Sequence, residues 1–193
     1  MPPKPKYTRE EIIECAVDLV REMGEQSLTS RELGARLNTS ARPIFTAFSS
    51  MDELKDCVIK SALDIFTKMS NREIEKHDCP KYKAIGIAYI RFANEEKNLF
   101  KLCFMRSRNE EERENPFDSD VIETVKNQTG LSEELAKLLH MQMWIYTHGI
   151  AVTLATSYLE LDTEQINALL TDGYQSFKQY HSSKNNLNGG DKK

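Results

Sequence analysis

Apolar residues recur along this chain at the three- and four-residue spacing of helices, and nowhere with the alternation of a strand. Ile12, Ile13, Ala16, Leu19, Val20 and Met23 form the first stripe. Ahead of it Thr8 and Glu11 have the form of a capping box, with Tyr7 and Ile12 as the staple, and behind it Gly24 is a natural stop. A second box, Thr29 with Glu32, predicts a helix from about Ser30 with Leu33, Ala35 and Leu37 on its apolar face. That helix has room for about two turns before Asn38.

Asn38 sits where a tight turn needs a residue near the left-handed region, which Asn enters at modest cost. Thr39 or Ser40 is placed to cap the next helix, and Pro43 is tolerable only in its first turn, so a short helix over Ala41–Ala47 is predicted. Ile44 and Phe48 fall on its inner face, while Ser40, Ala41, Arg42 and Thr46 point outward near its N-terminal end. That is where a recognition helix meets base edges in the major groove. A third box, Ser50 with Glu53, opens a helix of about 25 residues through Leu54, Val58, Ala62, Phe66 and Met69.

Beyond Pro80 the stripes continue. Tyr82, Ile85, Ala88, Tyr89 and Phe92 make one, and Leu99 to Met105 is a dense apolar cluster. The mixed-sign tract Arg106–Asn115 reads as a solvated helix end or loop, followed by a short helix over Phe117–Gln128 capped by Asp118. Gly130 and Ser132 start a long helix through Leu159, and a box of Asp162 with Gln165 opens the last, through Ile166, Leu170, Tyr174 and Phe177. The expected fold is all-α. A flexible arm (1–6) precedes a three-helix helix-turn-helix domain (7–60), which a long helix joins to a second all-helical domain (61–181), with a disordered tail (182–193).

Two resemblances sharpen this. The run Thr8–Leu54 resembles the N-terminal domain of TetR-family transcriptional regulators, through Thr8, Ile12, Ala16, Leu19, Gly24, Leu28-Thr29, Arg31, Leu33, Leu37, Ser40, Pro43-Ile44-Phe45, Phe48, Ser50 and Glu53-Leu54. It implies DNA contact by Thr29, Ser30, Arg31, Ser40, Ala41, Arg42, Pro43, Phe45, Thr46 and Met51. The family usually has Tyr, with a phosphate-binding hydroxyl, where Phe45 stands, and Lys where Met51 stands. Tyr82–Met105 followed by Trp144-x-x-x-His148-Gly149 is similar to one regulatory domain type of the same family. That similarity implies a four-helix homodimer bundle from the last two helices and a small-molecule cavity, with Tyr89, Phe100, Phe104, Met105, Met141, Trp144 and His148 as candidate lining. A helix apolar on nearly all faces around Ile145, with Gly149 allowing close approach, fits a dimer on its own terms.

Composition adds limits. The 193 residues carry a net charge of −4, so nothing attracts nucleic acid globally and any DNA footprint is local. Lys4, Lys6, Arg9, Arg31, Arg36 and Arg42 are the cations available for it. The opening MPPKPK lacks the apolar core of a signal peptide, and Cys15, Cys57, Cys79 and Cys103 lack paired spacing, so a cytoplasmic protein with reduced thiols is expected. Met141–Leu159 has no charged residue but is too polar for a membrane span, and no membrane partner is expected. His77-Asp78-Cys79 is one short cluster without a partner pair, so no metal or cofactor is expected. No Ser/His/Asp set, paired-carboxylate motif or phosphate loop marks an enzyme. The reading is a ligand-responsive regulator, usually a repressor, binding double-stranded DNA as a homodimer and answering to an unidentified small-molecule effector. The alternatives are a small-molecule-binding all-α enzyme and a protein-interaction module that has lost DNA binding.

Overall fold

A computed structural model describes residues 6–107 and 119–189, and these are helical with no strand among them. In chain order the helices are α1 (Arg9–Met23), α2 (Ser30–Arg36), α3 (Arg42–Ala47), α4 (Met51–Glu75), α5 (Lys81–Glu95), α6 (Lys97–Phe104), α7 (Ser119–Thr129), α8 (Glu133–Ala155) and α9 (Thr163–Gly189), with a 3-10 turn at Glu25–Ser27. Lys4, Asp118 and most of the charged tract after Arg106 lie outside the described residues. No helix among those described is long and apolar enough to cross a membrane.

Contacts divide the chain into two units, one of Met1–Met69 with Phe92–Arg106, the other of Ser70–Arg91 with Ser107–Lys193. Helices α4 and α5 each contribute residues to both. Residues 92–106, which the sequence pattern groups with the regulatory half, therefore belong to the first unit.

The first unit is built on α1, whose start carries both bonds of the capping box: Thr8 Oγ1 accepts from Glu11 N at 3.1 Å, and Glu11 Oε2 accepts from Thr8 N at 2.8 Å. Gly24 ends the helix with φ of +83°, a region that an L side chain enters only with strain. Ile12, Ala16, Leu19 and Val20 on α1 are buried together with Leu33 and Leu37 of α2, Ile44 of α3, and Leu54, Val58 and Ala62 of α4. Helix α6 closes this core. Arg21 Nε donates to Glu96 Oε2 at 2.9 Å, and Asn98 Nδ2 donates to the Arg21 carbonyl at 3.0 Å. Phe66, Phe92, Phe100 and Phe104 pack as a ring cluster, with centroids 5.3 to 6.4 Å apart in the contacting pairs.

In the second unit α8 starts at Ser132, whose hydroxyl caps Leu135 N at 3.4 Å, and Asp162 and Gln165 exchange both bonds of their box at the start of α9. Gly173 lets these two helices meet closely: a Cβ there would stand 2.9 Å from the Tyr146 ring. Two boundaries differ from expectation. Helix α8 stops at Ala155 rather than Leu159, because the Thr156 hydroxyl turns back on the Val152 carbonyl and Ser157 enters the left-handed region at φ of +56°. Helix α9 continues to Gly189, through residues 182–189 that composition assigns to a disordered tail. Extending an existing helix costs far less than starting one, and no Pro or Gly intervenes from Tyr174 to Leu187.

Asn38 holds the turn between α2 and α3 at φ of +50°. Asn38→Gly is expected to leave stability unchanged or raised, and Asn38→Val to lower it by about 1–2 kcal/mol, since a branched side chain resists that region. Guanidinium unfolding of the two variants checks this, and a fully tolerated Val would contradict it.

Candidate functional site

The turn after α2 folds tightly onto it. Asn38 N donates to the Ala35 carbonyl at 3.0 Å and Thr39 N to the Gly34 carbonyl at 2.9 Å. A Cβ at Gly34 would lie 3.1 Å from the Thr39 carbonyl oxygen, so the lack of a side chain there is what lets the chain reverse so closely. Helix α3 then begins with Ala41 as its N-cap residue and no side-chain cap, the nearest being Ser40 Oγ, 3.4 Å from Arg42 N. Pro43 in the first turn costs nothing there, because its missing N–H has no intrahelical partner.

Ile44 and Phe48 anchor this short helix to the core. Its opposite face is open: Ser40, Arg42, Phe45 and Thr46 are exposed, Phe45 at 51%. Thr29 and Arg31 at the start of α2 are also exposed, while Ser30, Ala41, Pro43 and Met51 are half-buried. The Thr29 cap is half a box: its hydroxyl accepts from Glu32 N at 3.2 Å, whereas Thr29 N donates to the Ser27 carbonyl. The Thr46 hydroxyl donates to the Arg42 carbonyl at 2.9 Å.

The cations of this unit sort into two groups. Arg9 is committed to structure: it donates to the Ala47 carbonyl and to Glu53 Oε1, each at 2.6 Å, and its guanidinium lies 4.1 Å from the Phe48 ring centroid. Arg36 is held by Glu22 through two bonds of 2.7 and 2.5 Å. Both leave the expected DNA footprint, each because a carboxylate from a neighbouring segment claims it. Among the described residues Lys6, Arg31 and Arg42 have no ion pair, and Lys6 Nζ donates to the Asn38 carbonyl at 3.2 Å. Lys6 and Arg42 share a hollow with Tyr7, Ser40, Pro43 and Thr46.

Glu53 does more than its cap pattern implies. Ser50 Oγ accepts from Glu53 N at 3.1 Å, as expected, but the carboxylate passes over Ser50 and accepts from both N and Oγ of Ser49 at 2.7 Å. These bonds, and then Arg9, hold its pKa down from an ordinary 4.5 to about 2.

The second unit contains a cavity of about 770 Å³ between α5, α7, α8 and α9. Of the seven candidate residues, Tyr89 and Trp144 line it. His148 supports that wall from behind, its ring stacked on Trp144 at 4.9 Å and its Nδ1 hydrogen-bonded to the Tyr89 hydroxyl at 2.9 Å. Phe100, Phe104 and Met105 belong instead to the first unit, and Met141 points outward from α8. The sequence reading missed Tyr82, His140, Met143, Thr147, Leu170 and Tyr174, all of which line the cavity. Tyr82 and His140 form a second pair at 3.0 Å, so α5 and α8 are joined by two Tyr–His bonds. The spacing of Tyr82 to Tyr89 and of His140 to His148, seven and eight residues on one helical face, was the available signal. Burial pushes the Tyr82 phenol far above its usual pKa and the Tyr174 phenol upward, so these walls are uncharged.

Cys103 is buried and its thiol pushed up to about 12 by desolvation, which makes it an inert core residue and not a sensor. No cluster of three metal-ligating side chains exists among the described residues, His77-Asp78-Cys79 included.

No protein-family model matches this chain, and no curated protein matches it.

Because the Glu53 pKa is lowered on folding, the stabilisation it gives is complete above about pH 4.5 and is lost as pH falls towards 2. Glu53→Gln should therefore lower the melting temperature at neutral pH, with the gap from wild type closing steadily on acidification. Calorimetry across that range checks it; a gap independent of pH would contradict it.

Proposed function

We propose that this chain is a ligand-responsive transcriptional regulator of the TetR kind, acting as a repressor and binding a pseudo-palindromic operator as a homodimer. Helices α1 to α3 act as a helix-turn-helix head, with α3 as the recognition helix. The observation that carries this reading is the face of α3: a short helix pinned from behind by Ile44 and Phe48, with Ser40, Arg42, Phe45 and Thr46 turned to solvent. A guanidinium with no carboxylate partner among the described residues, at the N-terminal end of such a helix, suits bidentate bonding to guanine in the major groove. Lys6 and Arg31 supply phosphate contacts, with Thr29 adding its hydroxyl and the first turn of α2 from Ser30 its backbone N–H groups to the same strand. Phe45 offers apolar contact where a tyrosine would bind phosphate, so affinity rests on fewer charges and on two heads acting together.

The second support lies on α8. Leu138, Met141 and Ile145 are exposed at helical spacing, Ile145 at 57%, and a Cβ at Gly149 on the next turn would meet nothing within 4 Å. Such an apolar stripe, on a helix whose other face is buried through Leu139, Met143, Thr147 and Ala151, is the surface we assign to the homodimer. An effector in the second-unit cavity then acts by preferring the dimer in which the two heads no longer match half-sites about one DNA turn, or a small multiple, apart.

Selection from a random pool of duplexes is expected to return a two-fold symmetric motif. Arg42→Ala should weaken binding to it by about 1–3 kcal/mol and relax the preference at one base position in each half. A pool with no enriched motif, or an indifferent Arg42→Ala, would overturn the reading. Ile145→Glu is expected to shift the sedimenting species from dimer to monomer and to abolish binding of the full motif; a dimer that survives it places the interface elsewhere.

A further inference from the structure

Two lysines and one aspartate, Lys83, Lys178 and Asp78, are the charged side chains in the lining of the second-unit cavity. Its walls are apolar and aromatic: Trp144, Met143, Leu170, Val121 and the rings of Tyr89 and Tyr174. Lys83 and Lys178 are half-buried and Asp78 is exposed. Lys83 Nζ donates to Thr171 Oγ1 at 2.9 Å, a neutral acceptor, and Lys178 Nζ stands 6.0 Å from the centroid of the Tyr174 ring. Among the described residues neither ammonium has a carboxylate within ion-pairing distance, although acidic residues elsewhere in the unit pair readily, as Glu133 does with Lys137 at 2.7 Å. The hydroxyls of the lining residues Tyr82 and Tyr89 are already engaged, Tyr82 by His140 and Tyr89 by His148. Burial keeps the tyrosines as neutral phenols, so they contribute no opposing charge.

A partly desolvated cation without a counter-ion gains most from an anion brought in by a ligand, through a charge-assisted hydrogen bond stronger than any neutral one. Apolar walls fix what the rest of that ligand must be. We infer that the cavity takes an apolar carboxylate, an organic acid whose hydrocarbon body lies against Trp144, Met143 and Leu170 while its carboxylate reaches Lys83 and Lys178. The inference rests on the effector-cavity reading above and deepens it by naming the ligand's chemical class. A neutral ligand of the same shape leaves both ammonium groups unneutralised, and an ammonium ligand meets two like charges against the single carboxylate of Asp78.

Trp144 is the chain's one tryptophan and lies in the cavity wall, so intrinsic fluorescence of the full-length protein reports binding directly. Decanoate, decanamide and decylammonium carry similar chains with negative, neutral and positive ends. Decanoate is expected to perturb Trp144 emission with an affinity about tenfold above that of decanamide, the scale of one charge-assisted hydrogen bond, with decylammonium weakest. The double variant Lys83→Met/Lys178→Met should lose the decanoate advantage while keeping wild-type affinity for decanamide, a result that also shows the cavity still folded. Equal affinity for decanoate and decanamide in the wild type, or a preference that survives in the double variant, would overturn the assignment of class but leave the cavity reading intact. No response to any of the three would remove the cavity reading, and this inference with it.

Discussion

The guanidinium of Arg9 is the joint on which the first unit depends. Helix α3 has six residues, too few to persist on its own hydrogen bonds, and its last carbonyls have no intrahelical donor. Arg9 supplies one at Ala47, lies flat over Phe48 where the chain leaves the helix, and ends on Glu53 in the first turn of α4. Glu53 in turn gathers N and Oγ of Ser49. One cation thus ties the start of α1 to the end of α3 and the start of α4. Ile44 and Phe48 provide the apolar contact, and the Arg9 bonds fix the direction in which α3 points. Preorganisation of this kind is what a reading helix requires, since a frayed one would have to order itself at the expense of binding.

Such a joint explains why some of the molecule was legible in the sequence and some was not. Local patterns were readable because cause and effect lie within one helical turn: Thr8 with Glu11, Gly24, Asn38, Pro43, and Asp162 with Gln165. Glu53 fitted the same rule but obeyed it only in part, because Arg9, distant in sequence, competes for the carboxylate. The same holds for Arg36, which looks like a free surface cation until Glu22 is placed beside it. The apolar cluster of α6 announced burial but not its partner, and the Arg21–Glu96 and Asn98–Arg21 bonds that attach it to α1 have no local signal.

In the second unit the stripe of α5 was visible, yet the choice between wall and core depends on where two further helices lie. Trp144 and Tyr89 were found through the spacing of a resemblance; His140, Tyr82 and Tyr174 needed the helices in place. The pairing of Tyr82 with His140 and of Tyr89 with His148 gives this region its character. Each buried polar group is answered by another, so the cavity keeps apolar walls without leaving those donors and acceptors unmatched. Discrimination by charge then falls to the lysines nearer solvent.

Amide hydrogen exchange, recorded for the full chain alone and with a duplex selected from a random pool, tests the proposed DNA-reading face most directly. The account predicts slowed exchange at residues 29–31 and 40–46, with the amides around Arg42 the most affected. Protection confined to other segments, with 40–46 exchanging as in the free protein, would contradict it.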